Sequence, residues 1–453
     1  MKIIIAGNGK MGAALTRQLA AEGYELTLID SNYNVLASSM DAYDVMVVQG
    51  NCASASVLKD AGVHEAELLI AATNSDEINL LCCVTAHAMN SSLHTIARIR
   101  NPEYSQQIYQ MTDLFALSMA VNPDRQAAEE IERLIKFPGF LRRESFAKGR
   151  AEIVELRINK DSKLCGRALN EMSSIVRSKV LVCTVLRGGK ATVPDGSFVL
   201  RDGDRIFVTA PADNLTALLK NLGILTRRSK KVILCGGSRT GYYLAKNLLD
   251  SGIDVHIIEK DIDRCDELAG LLPGAYILNG DASNQSLLEH ESIHDFDALV
   301  SLTGLDEINI MISLYGVNAG VHQVITKLGH LENSNILNYL PLNCVVNPKE
   351  LSSTNIVRYI RALHNQAGAA ISVHRIADGQ VEALEFLVEP GTPFVGVPLK
   401  NLKLKKNILL CCIVSKGKIQ IPNGETMFHQ GDTVVVVNSS NRVIYQLNDI
   451  FVE

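Results

Sequence analysis

The chain repeats itself, and this duplication restricts its fold more than any other feature of the sequence. The segment MKIIIAGNGKMG (1–12) returns as KKVILCGGSRTG (230–241), and LLIAATNSDEIN (68–79) returns as ALVSLTGLDEIN (298–309). The offset is 229 residues for the first pair and 230 for the second, and the matches keep the same order in both halves. Self-similarity at a constant spacing indicates repeated structural units. We therefore expect two copies of one unit within the 453 residues.

Each copy begins with the pattern of a nucleotide-binding βαβ unit. In the first copy an apolar strand, IIIA (3–6), leads into GNGKMG (7–12), then into a helical segment and a strand that ends at Asp30. A G-x-G-x-x-G loop between a strand and a helix is the fingerprint of such units. Each copy continues into apolar runs of period two, VLVCTVLRGGKATVPDGSFVL (180–200) and ILLCCIVSKGKIQIPNGETMF (408–428). Turn residues split these runs, which predict small strand-rich modules.

The predicted fold is α/β, with two Rossmann-like domains of doubly wound parallel sheet, each followed by a small α+β module that is rich in strands. The predicted ranges are a first Rossmann-like domain (1–135), a first C-terminal module (151–226), a second Rossmann-like domain (230–363) and a second C-terminal module (381–453). The segments 136–150 and 364–380 are predicted to be linkers.

The first glycine loop suits a dinucleotide or an adenine nucleotide. Gly7 permits the tight turn, Gly9 lets the backbone approach a pyrophosphate, and Gly12 allows the helix to pack closely on the strand. The helix offers free amide groups and a partial positive charge to phosphate. Asp30 can accept hydrogen bonds from both ribose hydroxyls and would repel a 2′-phosphate, so NADP is disfavoured while NAD(H), ATP and ADP remain open. A tight turn in a ligand-free fold is the alternative. The loop residues predicted to bind are Gly7, Asn8, Gly9, Lys10, Met11 and Gly12.

The second glycine loop departs from the motif. Ser238 stands where the second glycine belongs, and its β-carbon is expected to hold a pyrophosphate farther off. Glu259 ends the second strand of this copy and can still bind ribose. We predict a second site of lower affinity or altered selectivity, the alternative being an empty structural copy. The loop residues predicted to contribute to it are Gly236, Gly237, Ser238, Arg239, Thr240 and Gly241.

Further candidates lie at the carboxyl edge of each predicted sheet, where ligands of open α/β sheets bind. Thr73, Asn74 and Thr303 come directly after buried strands of the two copies. Arg98 and Lys327 end the next strands along the chain, where a cation suits a phosphate. An ordinary surface cation is the alternative for both residues.

Acidic positions of the repeat admit local interpretations. Asp281 could hydrogen-bond a sugar or an adenine, or it could form an Asx turn, and the first copy has Asn51 at the matched position. The pairs Asp76-Glu77 and Asp306-Glu307 are expected to cap the helices that follow, because acidic residues favour helix N-termini, and a catalytic pair of carboxylates is the alternative.

Composition and charge exclude several other classes of protein. The net charge is −5 without a basic block, so no nucleic-acid partner is expected. The ten cysteines form no CxxC pair, so we expect free, mostly buried thiols in a reducing cytosol and no metal site. The longest stretch without Asp, Glu, Lys or Arg, residues 78–97, is interrupted by polar residues and makes a poor transmembrane segment. Any role at a membrane is therefore expected to be exercised from outside the bilayer.

The second part of each copy favours a sensor over an enzyme. A dehydrogenase needs a substrate domain with a proton donor or acceptor near the nicotinamide. Here only small modules with apolar repeated cores follow each nucleotide unit, so we expect no catalytic residues and no turnover. A soluble NAD-dependent oxidoreductase stays open as an alternative, as does a nucleotide-binding regulator of another transporter or antiporter.

The motifs and their order resemble the TrkA family. The resemblance rests on the glycine loop with Asp30, on QGN and NGD, on TNSDEIN and TGLDEIN, on ARIR (97–100) and on the NP turns at 122–123 and 347–348. It covers essentially the whole chain. A single motif would also fit the wider family of RCK, or KTN, domains, and the tandem arrangement is what points to TrkA.

This resemblance implies a fold of tandem RCK units and a regulatory function. Family members bind NAD(H) and adenine nucleotides such as ATP and ADP, and they assemble as homo-oligomeric rings, with a tetramer as one option. They are peripheral proteins of the cytoplasmic face of the cell membrane and gate a Trk-type integral-membrane potassium transporter. The residues that the resemblance implies for the sites are 7–11, Asp30, Thr73, Asn74 and Arg98 in the first copy and 236–240, Glu259, Asp281 and Lys327 in the second.

The two predicted sites can be tested separately. A Gly9→Ala substitution places a methyl group in the path of the pyrophosphate, so we expect it to abolish nucleotide binding at the first site. Calorimetric titration of this variant then reports the second site alone, where weaker residual binding is expected. If no nucleotide remains bound, the second copy is an empty structural repeat.

Overall fold

Both copies fold into the same succession of elements. The computed structural model describes residues 1–453 except 109–111, 113, 137–138, 177–178, 223–228, 330–339, 341, 343, 364–369, 441–443, 445 and 453. Three predicted boundaries lie outside the described residues: the end of the first module at 226, the beginning of the second linker at 364 and the end of the second module at 453.

The first α/β domain is a parallel sheet of six strands with helices between them. The strands are β1 (Lys2–Ala6), β2 (Glu25–Asp30), β3 (Met46–Gln49), β4 (Leu68–Ala71), β5 (His94–Arg98) and β6 (Met119–Val121). The helices are α1 (Lys10–Ala21), α2 (Tyr33–Ala42), α3 (Ala55–Asp60), α4 (Asp76–Met89), α5 (Pro102–Ile108) and α6 (Pro123–Lys136). The strand order is β3-β2-β1-β4-β5-β6, as in the Rossmann fold. The central strands β1 and β4 are buried over nearly all residues, as their uninterrupted apolar sequences require.

The second α/β domain repeats this topology, with the order β14-β13-β12-β15-β16-β17. Its strands are β12 (Lys231–Cys235), β13 (Asp254–Glu259), β14 (Tyr276–Asn279), β15 (Ala298–Ser301), β16 (Gln323–Lys327) and β17 (Cys344–Val346). Its helices are α9 (Arg239–Asp250), α10 (Ile262–Leu271), α11 (Gln285–His290), α12 (Asp306–Asn318) and α13 (Pro348–Leu363). The duplication inferred from the sequence therefore holds at the level of strand order.

The strand-rich modules also share one topology. In the first module β7 (Arg142–Phe146), β8 (Ala151–Arg157), β9 (Leu181–Arg187), β10 (Lys190–Thr192) and β11 (Arg205–Ala210) accompany helices α7 (Met172–Ile175) and α8 (Ala212–Asn221). In the second module the strands are β18 (Ala370–Ile376), β19 (Val381–Leu387), β20 (Ile408–Ser415), β21 (Lys418–Gln420) and β22 (Thr433–Asn438). The antiparallel orders are β7-β8-β11-β9-β10 and β18-β19-β22-β20-β21. The predicted fold class is confirmed.

The two predicted linkers contain strands, so that prediction is wrong for their described parts. Strand β7 lies within 136–150 and pairs with β8, and strand β18 lies within 364–380 and pairs with β19. Both are edge strands of their sheets. The sequence of β7, RRESF, is mostly charged and lacks the apolar alternation of an internal strand. Charged side chains are typical of strands at a sheet edge.

The NP turns start the helices that leave each α/β domain. Helix α6 begins at Pro123, and the side-chain oxygen of Asn122 accepts a hydrogen bond from the amide of Arg125 at 3.0 Å. Helix α13 begins at Pro348, and Asn347 accepts from the amide of Lys349 at 3.0 Å. Asparagine is a preferred N-cap and proline a preferred first helical residue, which explains the pair.

Like parts of the two copies associate. The described structure divides into one unit with both α/β domains (1–132, 230–333 and 345–357) and a second unit with both strand-rich modules (133–229, 334–344 and 358–453). In the first unit α6 contacts α9: the hydroxyl of Thr240 donates to Asp124 at 2.8 Å, and the amide of Asn247 donates to Glu132 at 3.0 Å. Within the described residues, no helix combines the length and hydropathy that crossing a bilayer requires.

The second unit has a core shared by its two modules. Buried side chains of both modules pack in one cluster, which includes Phe146, Ile153, Cys183, Phe207, Ile376, Val381, Cys411 and Val435. Polar contacts also join the modules: the guanidinium of Arg205 donates to both oxygens of Asp378, at 2.9 and 3.0 Å. Because the apolar faces of both sheets are buried together, each module stabilises the other.

A contact between a carboxylate and an imidazole crosses the same boundary. The carboxylate of Glu144 lies 2.6 Å from Nδ1 of His374, and it also accepts from Arg142 at 2.6 Å. Burial by itself raises the pKa of Glu144, but the charges and hydrogen bonds of Arg142 and His374 outweigh burial and lower it to about 2. A depressed carboxyl pKa stabilises the folded state above the unfolded pKa, and this contribution is lost as the pH falls.

We expect Glu144→Gln to lower the free energy of unfolding by about 3 kcal/mol at pH 7, because the folded state then no longer gains from a carboxyl pKa that lies far below its ordinary value. The difference from the wild type should shrink as the pH falls from about 5 towards 2, because the wild-type carboxylate becomes protonated. Urea denaturation at several pH values measures this. Glu171→Gln is the control, since it removes an exposed ion pair with Arg167 that is worth at most about 1 kcal/mol. Equal effects of the two substitutions would contradict the role of the buried pair.

Candidate nucleotide-binding sites

The first glycine loop is shaped by close contacts with its own domain and leaves one position open. Gly7 has a φ of +93°, and a β-carbon there would lie 2.7 Å from the amide of Thr73. A β-carbon at Gly12 would lie 2.0 Å from the carbonyl oxygen of Gly7, so both positions require glycine for packing. In the described structure a β-carbon at Gly9 would meet nothing within 4 Å. The packing of the described residues therefore does not by itself require glycine at position 9.

Asp30 is held directly beside this loop. Its Oδ2 accepts the backbone amide of Asn8 at 2.7 Å, and its Oδ1 accepts the amide of Asn32 at 2.9 Å. The carboxylate is half-buried at the end of β2 and keeps further acceptor capacity on both oxygens. It thus stands next to the N-terminus of α1, as ribose recognition beside a bound pyrophosphate requires.

The remaining residues of the first loop differ in what they offer. The side chain of Asn8 is turned into the protein, where its amide donates to Val35 O at 3.1 Å and to the Ser39 hydroxyl at 2.7 Å. Met11 is buried, whereas Lys10 is exposed at the first turn of α1. Asn8 and Met11 therefore position the loop and can contact a ligand only through their backbone.

Thr73, Asn74 and Arg98 come together across the ends of β4 and β5. The guanidinium of Arg98 donates to the carbonyl oxygen of Thr73 and, at 3.3 Å, to the side chain of Asn74. Burial, with a smaller effect of the neighbouring Arg100, lowers the pKa of Arg98 to about 10, so it stays protonated at neutral pH. The prediction of a cation beside the crevice agrees with this placement, and contact with a phosphate stays a prediction.

Sequence reasoning missed Asn79, which organises this group. Its Oδ1 accepts the amide and the hydroxyl of Thr73 at 2.8 and 2.7 Å, and its amide donates to the carbonyl oxygen of Arg98 at 2.9 Å. Asn79 is fully buried on α4. Its counterpart Asn309 makes the same bonds to Thr303 and to the carbonyl oxygen of Lys327. The signal was present, because TNSDEIN and TGLDEIN both end in asparagine.

Arg100 is a second residue that was missed. Its guanidinium donates to the carbonyl oxygen of Asn74 at 2.7 Å. Within the described residues, the buried Nε atoms of Arg98 and Arg100 have no hydrogen-bond acceptor. Two cations with unused donors beside Thr73 suit an anionic ligand.

The acidic pairs lie in the first turns of α4 and α12, as predicted, but the expected capping of these helices by Asp76 and Asp306 is wrong. Ser75 caps α4, since its hydroxyl accepts the amide of Ile78 at 3.2 Å. Asp76 instead accepts the backbone amides of Arg100 and Asn101 at 2.8 and 2.7 Å. Asp306 accepts the amide of Gly329 at 2.8 Å in the same way. These carboxylates reach across to the segment after the neighbouring strand, which fixes the edge of the sheet.

The second copy reproduces the contact between loop and carboxylate. The amide of Gly237 donates to Glu259 Oε2 at 2.6 Å, and the other oxygen of Glu259 accepts the amide of Asp261 at 2.9 Å. Gly236 has a φ of +120°, and a β-carbon at Gly241 would lie 2.6 Å from the carbonyl oxygen of Gly236. The second loop therefore has the same backbone framework as the first.

Two changes distinguish the second loop. Ser238 caps α9, since its hydroxyl accepts the amide of Gly241 at 3.4 Å, and one amide of the helix start is thereby engaged within the protein. Gly237 replaces Asn8 because Leu268 takes the place of Ser39: a β-carbon at 237 would lie 2.4 Å from Leu268 Cδ1. The first change affects the start of α9, where a phosphate is predicted to bind. The second change affects only the packing behind the loop.

The other predicted residues of the second copy lie near this loop or support it. Thr303 is half-buried after β15, and Lys327 Nζ donates to the carbonyl oxygen of Leu302 at 3.0 Å. Burial lowers the pKa of Lys327. Arg239 is exposed at the start of α9, whereas Thr240 is buried against Asp124. Whether these residues contact a nucleotide stays a prediction.

Asp281 forms the Asx turn that was one of its two interpretations. Its Oδ1 accepts the amide of Ser283 at 2.9 Å and the hydroxyl of Ser283 at 2.6 Å, while Oδ2 pairs with Lys260 at 2.9 Å. The serine hydroxyl foremost, followed by Lys260, lowers the pKa of Asp281 to about 2. Asn51 forms the matched turn with the amide of Ala53 at 3.0 Å. A contact of Asp281 with sugar or adenine stays a prediction.

Asp124 interacts with residues of both candidate sites. This carboxylate belongs to the first domain and accepts the hydroxyl of Thr240 in the second glycine loop. Against the effect of burial, its charge also favours the protonated forms of Arg98 in the first copy and Lys327 in the second. One acidic side chain thus interacts with residues of both sites.

Comparisons with protein families and with individual relatives cover the whole chain. The TrkA-N domain model matches residues 3–123 and 232–348, and the TrkA-C domain model matches 153–223 and 383–450. The Trk system potassium uptake protein TrkA of Haemophilus influenzae is 29% identical and covers 100% of this chain and 98% of its own length. The Trk system potassium uptake protein TrkA homolog of Archaeoglobus fulgidus is 30% identical over 96% of this chain and 97% of its own.

Solved structures of GsuK share the fold at low identity. Its RCK domain aligns with 97% of this chain and 92% of its own, with a TM-score of 0.63 and 18% identity. The GsuK channel bound to NAD aligns with 97% of this chain and 77% of its own, with a TM-score of 0.61 and 18% identity. GsuK bound to ADP aligns with 80% of this chain and 70% of its own, with a TM-score of 0.51 and 14% identity.

Asn79 holds Thr73 and the end of β5 together, and we call this set of hydrogen bonds the clamp. It can be tested by comparison with the counterpart residue Asn309 in the second copy. Asn79→Ala leaves the amide of Thr73 and the carbonyl oxygen of Arg98 without their partner, so we expect the first site to lose about tenfold in nucleotide affinity. Asn309→Ala makes the same change in the second copy and should leave the first site unaffected. Calorimetric titration measures both variants, and thermal unfolding separates a loss of fold from a loss of binding. Wild-type affinity of folded Asn79→Ala would contradict the proposed clamp.

Proposed function

The chain belongs to the TrkA family, and we propose on this premise that it is a nucleotide-sensing regulatory subunit of a potassium uptake system. The observation that carries the proposal is the repeated contact between a glycine loop and a strand-end carboxylate, Asn8 with Asp30 and Gly237 with Glu259. Two such sites in one unit suit a protein that compares ligands.

The ligand is an adenine nucleotide with a free ribose 2′-hydroxyl, either NAD(H) or ATP and ADP. Asp30 and Glu259 bind the ribose hydroxyls, and the N-termini of α1 and α9 bind the phosphates. The remainder of the ligand extends towards Thr73 and Arg98 in the first site. The open position at Gly9 supports this assignment. The protein by itself would accommodate a β-carbon there, whereas the close approach of a pyrophosphate to the backbone favours glycine.

The first site is the stronger of the two. In the second site, Ser238 Oγ already accepts the amide of Gly241, so fewer donors at the start of α9 remain for a phosphate. The second site therefore binds more weakly or selects a different nucleotide. Asp124 gives the sites a direct physical link, since it bonds to Thr240 and interacts electrostatically with Arg98.

Regulation follows from a difference in affinity between conformations. Two nucleotides compete for a site, and each favours a different arrangement of the assembled subunits. A ligand that bound both arrangements equally would shift nothing, however tightly it bound. A coupling of about 1–3 kcal/mol is ordinary for such a switch.

The partner is an integral-membrane potassium-translocating subunit of the Trk type. The chain acts on it as a homo-oligomer, a ring by family resemblance, from the cytoplasmic face of the membrane. It regulates the gate and performs no chemical turnover. The names of the full-length relatives, Trk system potassium uptake proteins, support this assignment.

Potassium uptake into proteoliposomes that contain the membrane subunit tests the function. With this chain present, uptake should differ at least about fivefold between saturating concentrations of the activating and the inhibiting nucleotide, when NADH, NAD, ATP and ADP are compared. Asp30→Ala should raise the required nucleotide concentration about tenfold, because one charged acceptor for ribose is lost.

The matched control for this experiment is Asp60→Asn. Asp60 is an exposed carboxylate at the C-terminal end of α3, so it lies at the opposite edge of the sheet from the glycine loop. Its substitution should leave the nucleotide response unchanged. Uptake that is the same with every nucleotide would refute the switch, and nicotinamide oxidation that depends on a substrate would favour the oxidoreductase alternative.

A further inference from the structure

The two strand-rich modules meet through matched positions of the repeat. Strands β8 and β19 are matched by sequence, since AEIVELR and VEALEFL both carry glutamates at their second and fifth positions. An interface that uses the same surface of both partners is isologous, as in a two-fold dimer. The core that the modules share contains both members of several matched pairs, which are Phe146 with Ile376, Ala151 with Val381, Ile153 with Ala383, Cys183 with Cys411 and Phe207 with Val435.

Contacts at the rim of this interface are reciprocal. The side-chain amide of Gln380 donates to the carbonyl oxygen of Gly189 at 2.7 Å. The matched residues meet in the same way, because a β-carbon at Gly417 would lie 3.7 Å from the guanidinium of Arg150. Reciprocity of this kind is what an isologous interface requires. The module pair therefore has the layout of a homodimer within one chain.

Glu144 and His374 occupy one and the same position of the repeat. Glu144 on β7 lies opposite Ile153 of β8, and His374 on β18 lies opposite the matched residue Ala383 of β19. Their contact of 2.6 Å therefore joins this position to its own counterpart. In an isologous interface only a position on the two-fold axis can do so.

This axial position suits one carboxylate and one imidazole. The pKa of Glu144 is held at about 2, so the group is ionised at neutral pH and only accepts, and Nδ1 of His374 must carry the hydrogen. Two first modules would bring two carboxylates together here without a donor between them, which is strongly unfavourable away from water. Two second modules would bring two imidazoles together, which form one hydrogen bond at most and repel when both are protonated.

The ion pair of Arg205 and Asp378 discriminates in the same sense. Arg205 and Thr433 are matched, because each lies opposite the last residue of β8 or β19. Asp378 and Lys148 are matched in the turns after β18 and β7, where φ is +56° and +57°. Two first modules would thus set Arg205 against Lys148, and two second modules would set Thr433 against Asp378. Only the unlike pair provides opposite charges, at 2.9 and 3.0 Å.

We propose that these two contacts make the pairing surface selective, so that a first module pairs with a second module and rejects a copy of its own kind. Selectivity comes from the repulsion built into the wrong pair as much as from attraction in the right one. In an assembly of several chains, the same rule keeps like modules apart at this surface. The proposal does not depend on nucleotide binding.

Substitutions in the full chain can imitate the rejected pairs. His374→Glu places two carboxylates on the axis, as two first modules would, and Glu144→His places two imidazoles there, as two second modules would. The double variant Glu144→His with His374→Glu restores one group of each kind with their places exchanged. Hydrogen–deuterium exchange of peptides from β7, β8, β18 and β19 reports how often the interface opens, as a ratio to the wild type.

We expect His374→Glu to raise this exchange about tenfold or more at pH 7, the factor that one pKa unit of repulsion between carboxylates represents. Glu144→His should raise it less. Most of the increase should disappear in the double variant, although not all of it, because Arg142 lies beside position 144 and favours a carboxylate there. Arg375→Glu is the control on the same strand, since its side chain is exposed, and it should exchange like the wild type.

The increase in His374→Glu should become smaller at pH 5, because two carboxylates in contact then share a proton. The groups around the pair do not supply this effect. Arg142 keeps its charge at both pH values, and the ring of Phe146 packs on position 374 at 4.6 Å. Glu385 on β19 is engaged by the hydroxyl of Ser372 at 2.8 Å, and it is present in every variant.

Asp378→Lys tests the second contact. It sets two cations against each other, whereas Asp378→Asn only removes the attraction to Arg205, so the lysine variant should exchange faster than the asparagine variant. Equal exchange of these two would overturn the selective role of this contact.

A double variant that exchanges as fast as His374→Glu would overturn the selective role of the axial position, because the site would then tolerate no change in either order. Wild-type exchange of His374→Glu would overturn it as well, since two carboxylates would then be accepted. A His374→Glu chain that fails to fold, next to a double variant that folds, would support the proposal.

Discussion

One backbone amide, donated by the glycine loop to the carboxylate at the end of the second strand, is the interaction on which both candidate sites depend. It measures 2.7 Å between Asn8 and Asp30 and 2.6 Å between Gly237 and Glu259. The bond joins the segment after the first strand to the adjacent strand, so the N-terminus of the following helix and the carboxylate share one edge of the sheet. A phosphate and a ribose can then be bound together.

Duplication preserved this framework and allowed the two sites to diverge around it. Asn8 with Ser39 and Gly237 with Leu268 are alternative ways to fill the same space behind the loop, one polar and one apolar. Ser238 changes the helix start, where a phosphate would bind. The two copies therefore differ in the side chains around the glycine loop more than in fold, because the strand order is the same in both.

Much of the fold and part of the site could be predicted because they depend on local pattern. Buried parallel strands read as apolar runs, and the glycines and strand-end acids occur at fixed distances along the chain. Asn79 and Asp76 were missed or misjudged because they bond to backbone groups at the end of β5 or just after it, far along the chain from α4. The linkers were misjudged because β7 and β18 are edge strands next to turn residues, and the mostly charged β7 has no apolar alternation to reveal it.

The sequence by itself determined the duplication, the Rossmann-like topology and the chemical character of each loop, because all three follow from short-range spacing and residue type. Only the tertiary structure decided that like domains associate, which α6 and α9 do through Asp124 and Thr240. It also decided that Glu144 meets His374 between the strand-rich modules. Such pairs join residues far apart in the chain, and their partners are selected by which apolar faces are buried together, which no local pattern specifies.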